Sequence, residues 1–182
     1  TITYQVQVWN VKTKQVVSQH VLPQPQYAVG SVWQPGTHNL AFSLLTDGAY
    51  NTAVLQIWNV QTRQLMKSLP GIAANSMAWS PDGNKIAYDN SIGGGAIAGV
   101  TLLDVTTGQK VYTYDVSAKE KTQQVNIDVP AWSPDGAYIV TSESTTSLVA
   151  TNVPNGTHIS SCKDPTPTIV SNGHGFSCKS SD

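Results

Sequence analysis

Apolar and polar residues alternate along this chain with a period of two. Tyr4, Val6 and Val8 interleave with Thr3, Gln5 and Gln7, and Leu55 and Ile57 flank Gln56. Alternation of this kind, rich in Val, Ile, Thr and Tyr, marks strands buried on one face. An amphipathic helix would instead place apolar residues three and four apart. Helix signals are nearly missing, and Pro and Gly interrupt the alternation at short intervals. The chain therefore reads as all-β, with short strands and frequent turns.

Two sequence units recur in strict alternation. The first is VQVWNVKTKQV (6–16), LQIWNVQTRQL (55–65) and TLLDVTTGQKV (101–111), with a degenerate copy LVATNVPNGTHI (148–159). Its Asn10, Asn59, Asp104 and Asn152 are spaced 49, 45 and 48 residues apart. The second is VWQPG (32–36), AWSPDG (78–83) and AWSPDG (131–136), whose Trp33, Trp79 and Trp132 lie 46 and 53 apart. A period of about 45–50 residues carrying roughly four strands is the signature of propeller blades. In Ser-Pro-Asp-Gly, Pro81 and Pro134 preset φ, Asp82 and Asp135 bond local backbone, and Gly83 and Gly136 accept positive φ. This predicts a tight hairpin turn joining the innermost strand of a blade to the next. Each preceding Trp is expected to bury its ring between neighbouring blades, and Trp9 and Trp58 are assigned to the same inter-blade packing. These roles are structural, not chemical.

The stretches VQVWNV, LQIWNV, AWSPDGNKIAYDN and AWSPDGAYIVTSE resemble the WD-repeat β-propeller superfamily, including its bacterial members with W-S-P-D-G turns. The resemblance runs through residues 1 to about 160. It implies a β-propeller of about four blades, each of four antiparallel strands. The Trp-Asp pair occurs here only as Trp-Asn (9–10, 58–59) and Leu-Asp (103–104), and no Gly-His pair precedes an inner strand. The hydrogen-bonded tetrad of the family therefore transfers to no residue here. The blade register places a partial blade at 1–22, full blades at 28–70, 73–116 and 124–162, and an atypical strand or cap at 163–182. Within that cap, residues 168–178 read as one more inner strand, with Phe176-Ser177 standing where Trp-Ser stood. Just under four blades leaves three arrangements: a fragment of a longer chain, a propeller completed by a partner copy, or an irregular four-bladed ring. Open blade edges invite pairing with another chain.

Composition narrows the function. Charged residues make up 12% of the chain, against about 25% in an average globular domain. Ser, Thr, Asn and Gln occupy the polar faces instead, which favours an extracellular or cell-surface setting. The net charge of −1 gives no electrostatic case for nucleic acid, and no apolar run approaches the ~20 residues of a membrane helix. No segment has the basic start and apolar core of a signal peptide, and the opening TITYQVQVW is already strand-like.

Candidate chemistry is sparse. Cys162 and Cys178 enclose fifteen residues, and in an oxidising compartment a bridge between them is worth about 3 kcal/mol. Regular blade geometry sets the two cysteines at opposite ends of strands, so either the last segment is a cap pinned by the disulfide or both thiols are free. His20, His38, His158 and His174 show no metal-ligand spacing, and a zinc site from Cys162, His174 and Cys178 lacks a fourth ligand. The run IGGGAIAG (92–99) lacks the Lys and helix of a phosphate loop and reads as a hairpin. AKEKTQQ (118–124) reads as a solvated connection, and Asn155-Gly156-Thr157 as a turn. No enzyme activity, cofactor or metal is expected. The expectation is a non-catalytic protein-binding or scaffolding propeller, of the kind that forms the extracellular sensor part of a larger bacterial protein, with a self-assembling extracellular filament subunit as the alternative and an enzyme-associated propeller behind it. The partner is expected to be protein or a second copy, not nucleic acid or membrane.

Overall fold

The computed structural model describes residues 3–46, 49–89, 99–115, 130–144, 147–153, 158–163, 169–171 and 176–178. For 49–51, 114–115, 142–144, 147–152 and the last three segments, the backbone path alone is described. Every described element is a strand or a turn, and every strand pairs antiparallel with a sequence neighbour. The chain divides into two compact units, Thr1–Asn75 and Ser76–Asp182.

The first unit begins with a two-stranded sheet, β1 (Gln5–Asn10) and β2 (Gln15–Val21). A four-stranded meander follows: β3 (Gln26–Trp33), β4 (Asn39–Thr46), β5 (Ala49–Asn59) and β6 (Gln64–Pro70), hydrogen-bonded in that order. Strand β4 is buried from Leu40 to Leu45 without alternation, because both of its faces are covered. Leu22, Leu40, Phe42, Leu44 and Trp58 form the core, and Val6 and Val8 of β1 pack against it. The alternation read from the sequence thus has a direct cause: Val6 and Val8 face the next blade, while Gln5, Gln7 and Trp9 are exposed. Full burial of a side chain such as Phe42 contributes about 1.5–3 kcal/mol.

The second unit holds two further four-stranded meanders. The first runs β7 (Met77–Trp79), β8 (Lys85–Asp89), β9 (Gly99–Asp104) and β10 (Lys110–Asp115). The second runs β11 (Ala131–Trp132), β12 (Tyr138–Ser144), β13 (Ser147–Asn152) and β14 (His158–Lys163). Ala87, Val100, Leu102 and Ile139 form their shared core, with Tyr112, Trp132 and Val153 packed on it. A two-stranded sheet, β15 (Ile169–Ser171) and β16 (Phe176–Cys178), ends the described chain. The single inner strand expected over 168–178 is therefore a hairpin: the Asn-Gly-His-Gly between these two strands carries the Asn and Gly that turns favour. The fold is all-β and built of propeller blades.

The repeated turns form as their residues dictate. Gly83 N–H donates to the Ser80 carbonyl (2.9 Å) and Gly136 N–H to the Ser133 carbonyl (2.9 Å), closing two equivalent β-turns. Both glycines sit at positive φ, 70° and 72°. At the outer turns, Asn10 Oδ1 accepts from Lys12 N–H (2.9 Å) and Thr13 N–H (3.0 Å). Asn59 Oδ1 and Asp104 Oδ1 do the same for Thr62 N–H (2.9 Å) and Thr107 N–H (2.8 Å). That is why this repeat position alternates between Asn and Asp: either supplies the accepting oxygen.

Candidate interaction surface

The five tryptophans divide by whether a neighbour covers them. Trp58 is 2% exposed and Trp79 6%. Trp132 is half-buried, and its Nε1–H donates to the Ala78 carbonyl on β7 (3.1 Å), tying one inner strand to the next. Trp9 and Trp33, assigned the same inter-blade role, stand 56% and 48% exposed. Trp58 is buried because the β1–β2 sheet lies over it, with the His20 ring at 4.9 Å. Among the described residues, nothing covers Trp9 in that way.

Strand β1 is the counterpart of β5. In the complete blade, β5 is paired on one side with β6 and on the other with β4. Strand β1 is paired with β2 alone, so among the described residues its second edge is open. Where the start of β1, the end of β2 and the start of β3 come together lies an open cavity of about 370 Å³ lined by Tyr4, Gln5, Leu22, Tyr27 and Ala28. The Tyr4 and Tyr27 rings meet there with centroids 6.2 Å apart at 48°. An unpaired row of backbone donors and acceptors next to apolar and aromatic surface is a template for an added strand.

The polar end of the edge shows what the closed blades do differently. Asn39 opens β4 directly opposite Asn59 at the end of β5. The Asn59 amide donates to Asn39 Oδ1 (2.9 Å), and the Asn39 amide donates to Gln34 Oε1 (2.7 Å). This relay joins the inner turn to the outer turn. In the second unit, Lys85 opens β8 opposite Asp104, and its charge helps hold the Asp104 carboxyl below the usual range, after the larger effect of the Thr107 amide. Asn10 is the matching residue of β1. Its oxygen is spent on its own turn, and among the described residues none accepts from its amide.

The charges of the first unit are mostly of one sign. Residues 1–75 contain four Lys or Arg (Lys12, Lys14, Arg63, Lys67) and one carboxylate, Asp47. Lys12 and Lys14 are exposed on the turn that follows Asn10, and Lys14 is held at φ 58°. His20 on β2 packs against Phe42 (5.8 Å) and Trp58 (4.9 Å), and burial holds its pKa below the ordinary histidine value.

The Ser-Pro-Asp-Gly turns gather a second, smaller space of about 90 Å³ between Asp82, Asp135, Lys85 and Trp132. The Ser80 and Ser133 hydroxyls, each bonded to the nearby Asp, hold both carboxyls below their usual range. A Cβ on Gly136 would stand 3.7 Å from Pro81, so the two turns stack. This space is the seam of that stacking. Among the described residues, no three His, Cys, Asp or Glu gather in a way that could hold a metal.

Cys162 lies on β14 opposite Leu148, and Cys178 on β16 opposite Ile169. Their bridging lies outside the described side chains, as do the zinc set with His174 and the side chain of His158. The glycine run from Ile92 to Ala98, the 118–124 cluster and Asn155-Gly156-Thr157 fall outside the described residues. Sequence reasoning missed the Gln34–Asn39–Asn59 relay and the His20 stack. The relay had a faint signal, since Asn10 and Asn59 occupy one repeat position.

Meandering four-stranded sheets joined by repeated Trp, Ser-Pro-Asp-Gly and Asn-turn units define a WD-like propeller protein. More narrowly, the chain belongs to the family of eukaryotic translation initiation factor eIF2A, whose pattern it matches over residues 2–164. That family has a WD40-like propeller fold. No curated protein matches the chain.

Proposed function

We propose that the chain is a non-catalytic binding propeller whose working surface is the open edge of β1 and the slot beside it. A protein partner adds an extended segment there as a further strand of the β1–β2 sheet. The observation that carries this reading is the contrast between β5, paired on both sides, and β1, paired on one. Main-chain hydrogen bonds supply the affinity, and the Tyr4–Tyr27 surface receives alternate side chains of the incoming strand. The family name supports seeking the partner among proteins that start translation. Self-association is the second reading, supported by β15–β16, a pair of strands hydrogen-bonded to no other described sheet.

Hydrogen exchange tests the proposal. Amides of β5 should all exchange slowly. Every second amide of β1, Gln5 to Asn10, should exchange fast and slow down when a strand-forming peptide, Asn-Leu-Ala-Phe-Ser-Leu, is added. Uniform protection of β1 in the free chain, or fast amides that ignore the peptide, would refute it.

A further inference from the structure

The outer hairpins β1–β2, β5–β6, β9–β10 and β13–β14 break register at the same step. Val8 faces Ser18 but Trp9 faces Val16, and Ile57 faces Lys67 but Trp58 faces Leu65, which leaves Val17 and Met66 as extra residues. Val111 and Ile159 are extra in the same way. Where the side chain of this residue is described it is exposed: Val17 47%, Met66 57% and Val111 55%. A bulge bends its strand and interrupts the ladder. Strands β6 and β10 are the outermost of their sheets, so the bulge makes that outer edge a poor template for a further strand. What these tips offer a partner is side chains. One exposed apolar residue is ordinary, but a pair that recurs at a bulge is a surface feature.

The β5–β6 tip shows the feature with its neighbour in place. The β1–β2 sheet covers Trp58 to 2% exposure, yet Leu65, directly opposite Trp58, stays 51% exposed beside Met66. All six residues from Gln61 to Met66 are exposed. Arg63 is fixed in the turn at φ 59°, and Gln64, Leu65 and Met66 follow it. The β1–β2 tip repeats the order with Lys14 at φ 58°, then Gln15, Val16 and Val17. Both tips of the first unit thus read cation, Gln, aliphatic, aliphatic. The β9–β10 tip departs from this, with Gly108 in place of the cation and Lys110 in place of the first aliphatic.

Charge selects the occupant. Carboxylates answer Lys14 and Arg63, and aliphatic side chains cover the apolar pairs. A nucleic acid would answer the cations and leave the aliphatic pairs bare. A bilayer would have to bury a Thr, a cation and a Gln with each aliphatic pair, at high cost. We propose that the outer turns of the first unit dock an acidic, aliphatic segment of a partner protein, its carboxylates on Lys14 and Arg63 and its apolar side chains on Val16–Val17 and Leu65–Met66. This goes beyond the strand-addition reading and requires no open edge of β1.

Three labelled peptides test it against the full chain by fluorescence anisotropy: Glu-Leu-Leu-Glu-Gln-Glu-Leu-Leu-Glu, one with Lys for every Glu, and one with Ser for every Leu. The first should bind about tenfold more tightly than either of the others. The Leu65→Ser, Met66→Ser double variant and Arg63→Glu should each weaken it about tenfold. Val111→Ser, at an equally exposed bulge lacking the preceding cation, should leave it unchanged. These side chains are exposed, so the variants should melt within a few degrees of the parent. Equal binding of the first peptide and its Ser form, or binding that ignores Leu65 and Met66, overturns the proposal. Absence of peptide binding overturns it too; cosedimentation with phosphatidylserine vesicles then identifies a bilayer as the occupant, and retention of oligouridylate an RNA. Exchange of the β1 amides reads strand addition separately, so the two readings fail independently.

Discussion

Trp132 and Trp33 open the same repeat unit, yet removing the indole nitrogen should matter at only one of them. In Trp132→Phe the ring still fills most of its site, but the Nε1–H that reaches the Ala78 carbonyl is lost. That carbonyl lies on a short inner strand, Met77–Trp79, in a half-buried position. An acceptor stripped of its partner at such a place costs about 1–2 kcal/mol. For a protein of this size, that lowers Tm by roughly 3–6 °C. Trp33→Phe removes the same nitrogen from a ring that is 48% exposed, and should stay within about 0.5 kcal/mol of the parent. Urea titrations of the two variants, followed by far-ultraviolet circular dichroism, measure both numbers side by side. Equal costs would show that the tryptophans act through the repeat unit as such and not through the strand that covers each ring. That result would also remove the basis for treating Trp33 as part of an uncovered surface.

Three further outcomes follow from the same geometry. Lys14, Arg63 and Gly108 occupy one repeat position at φ 58°, 59° and 75°, so Gly108→Ala should destabilise by about 1 kcal/mol while Arg63→Ala is near neutral, since Arg63 already bears the left-handed strain; differential scanning calorimetry distinguishes the two. The Ser18 hydroxyl is buried with no hydrogen-bond partner among the described residues, so Ser18→Ala should be neutral or raise stability by up to about 1 kcal/mol in urea titration, and a clear loss would mean the hydroxyl is satisfied. His20 has its folded pKa depressed by burial, so the folded state takes up its proton later than the unfolded chain does. Stability should therefore be full above a pH of about 6.5 and fall as pH drops from there toward the folded pKa. Urea midpoints at pH 7.5 and 5.5 should differ for the parent and much less for His20→Phe; an equal fall in both would place the pH sensitivity elsewhere.

The legible part of this chain is the part set by local chemistry. Asn10, Asn59 and Asp104 end strands because a short side-chain oxygen can accept the amides of the turn that follows, and that property is visible in the letters. Ser-Pro-Asp-Gly closes the same turn wherever it stands, so Gly83 and Gly136 were readable down to the sign of φ. Trp33 and Trp132 mark the limit of this kind of reading. Their neighbourhoods in the sequence are nearly alike, and what separates them is whether another strand lies against the ring, which no window of residues encodes. The Gln34–Asn39–Asn59 relay was hidden for a related reason, since it joins side chains twenty residues apart whose meeting depends on β4 and β5 being in register. The bulges between Val8 and Trp9 and between Ile57 and Trp58 have no sequence mark at all, because the extra residue is an ordinary one. The open edge of β1 is the sum of these effects. Its residues are those of a strand meant for pairing on both sides, with Asn10 holding out the amide that Asn59 gives to Asn39.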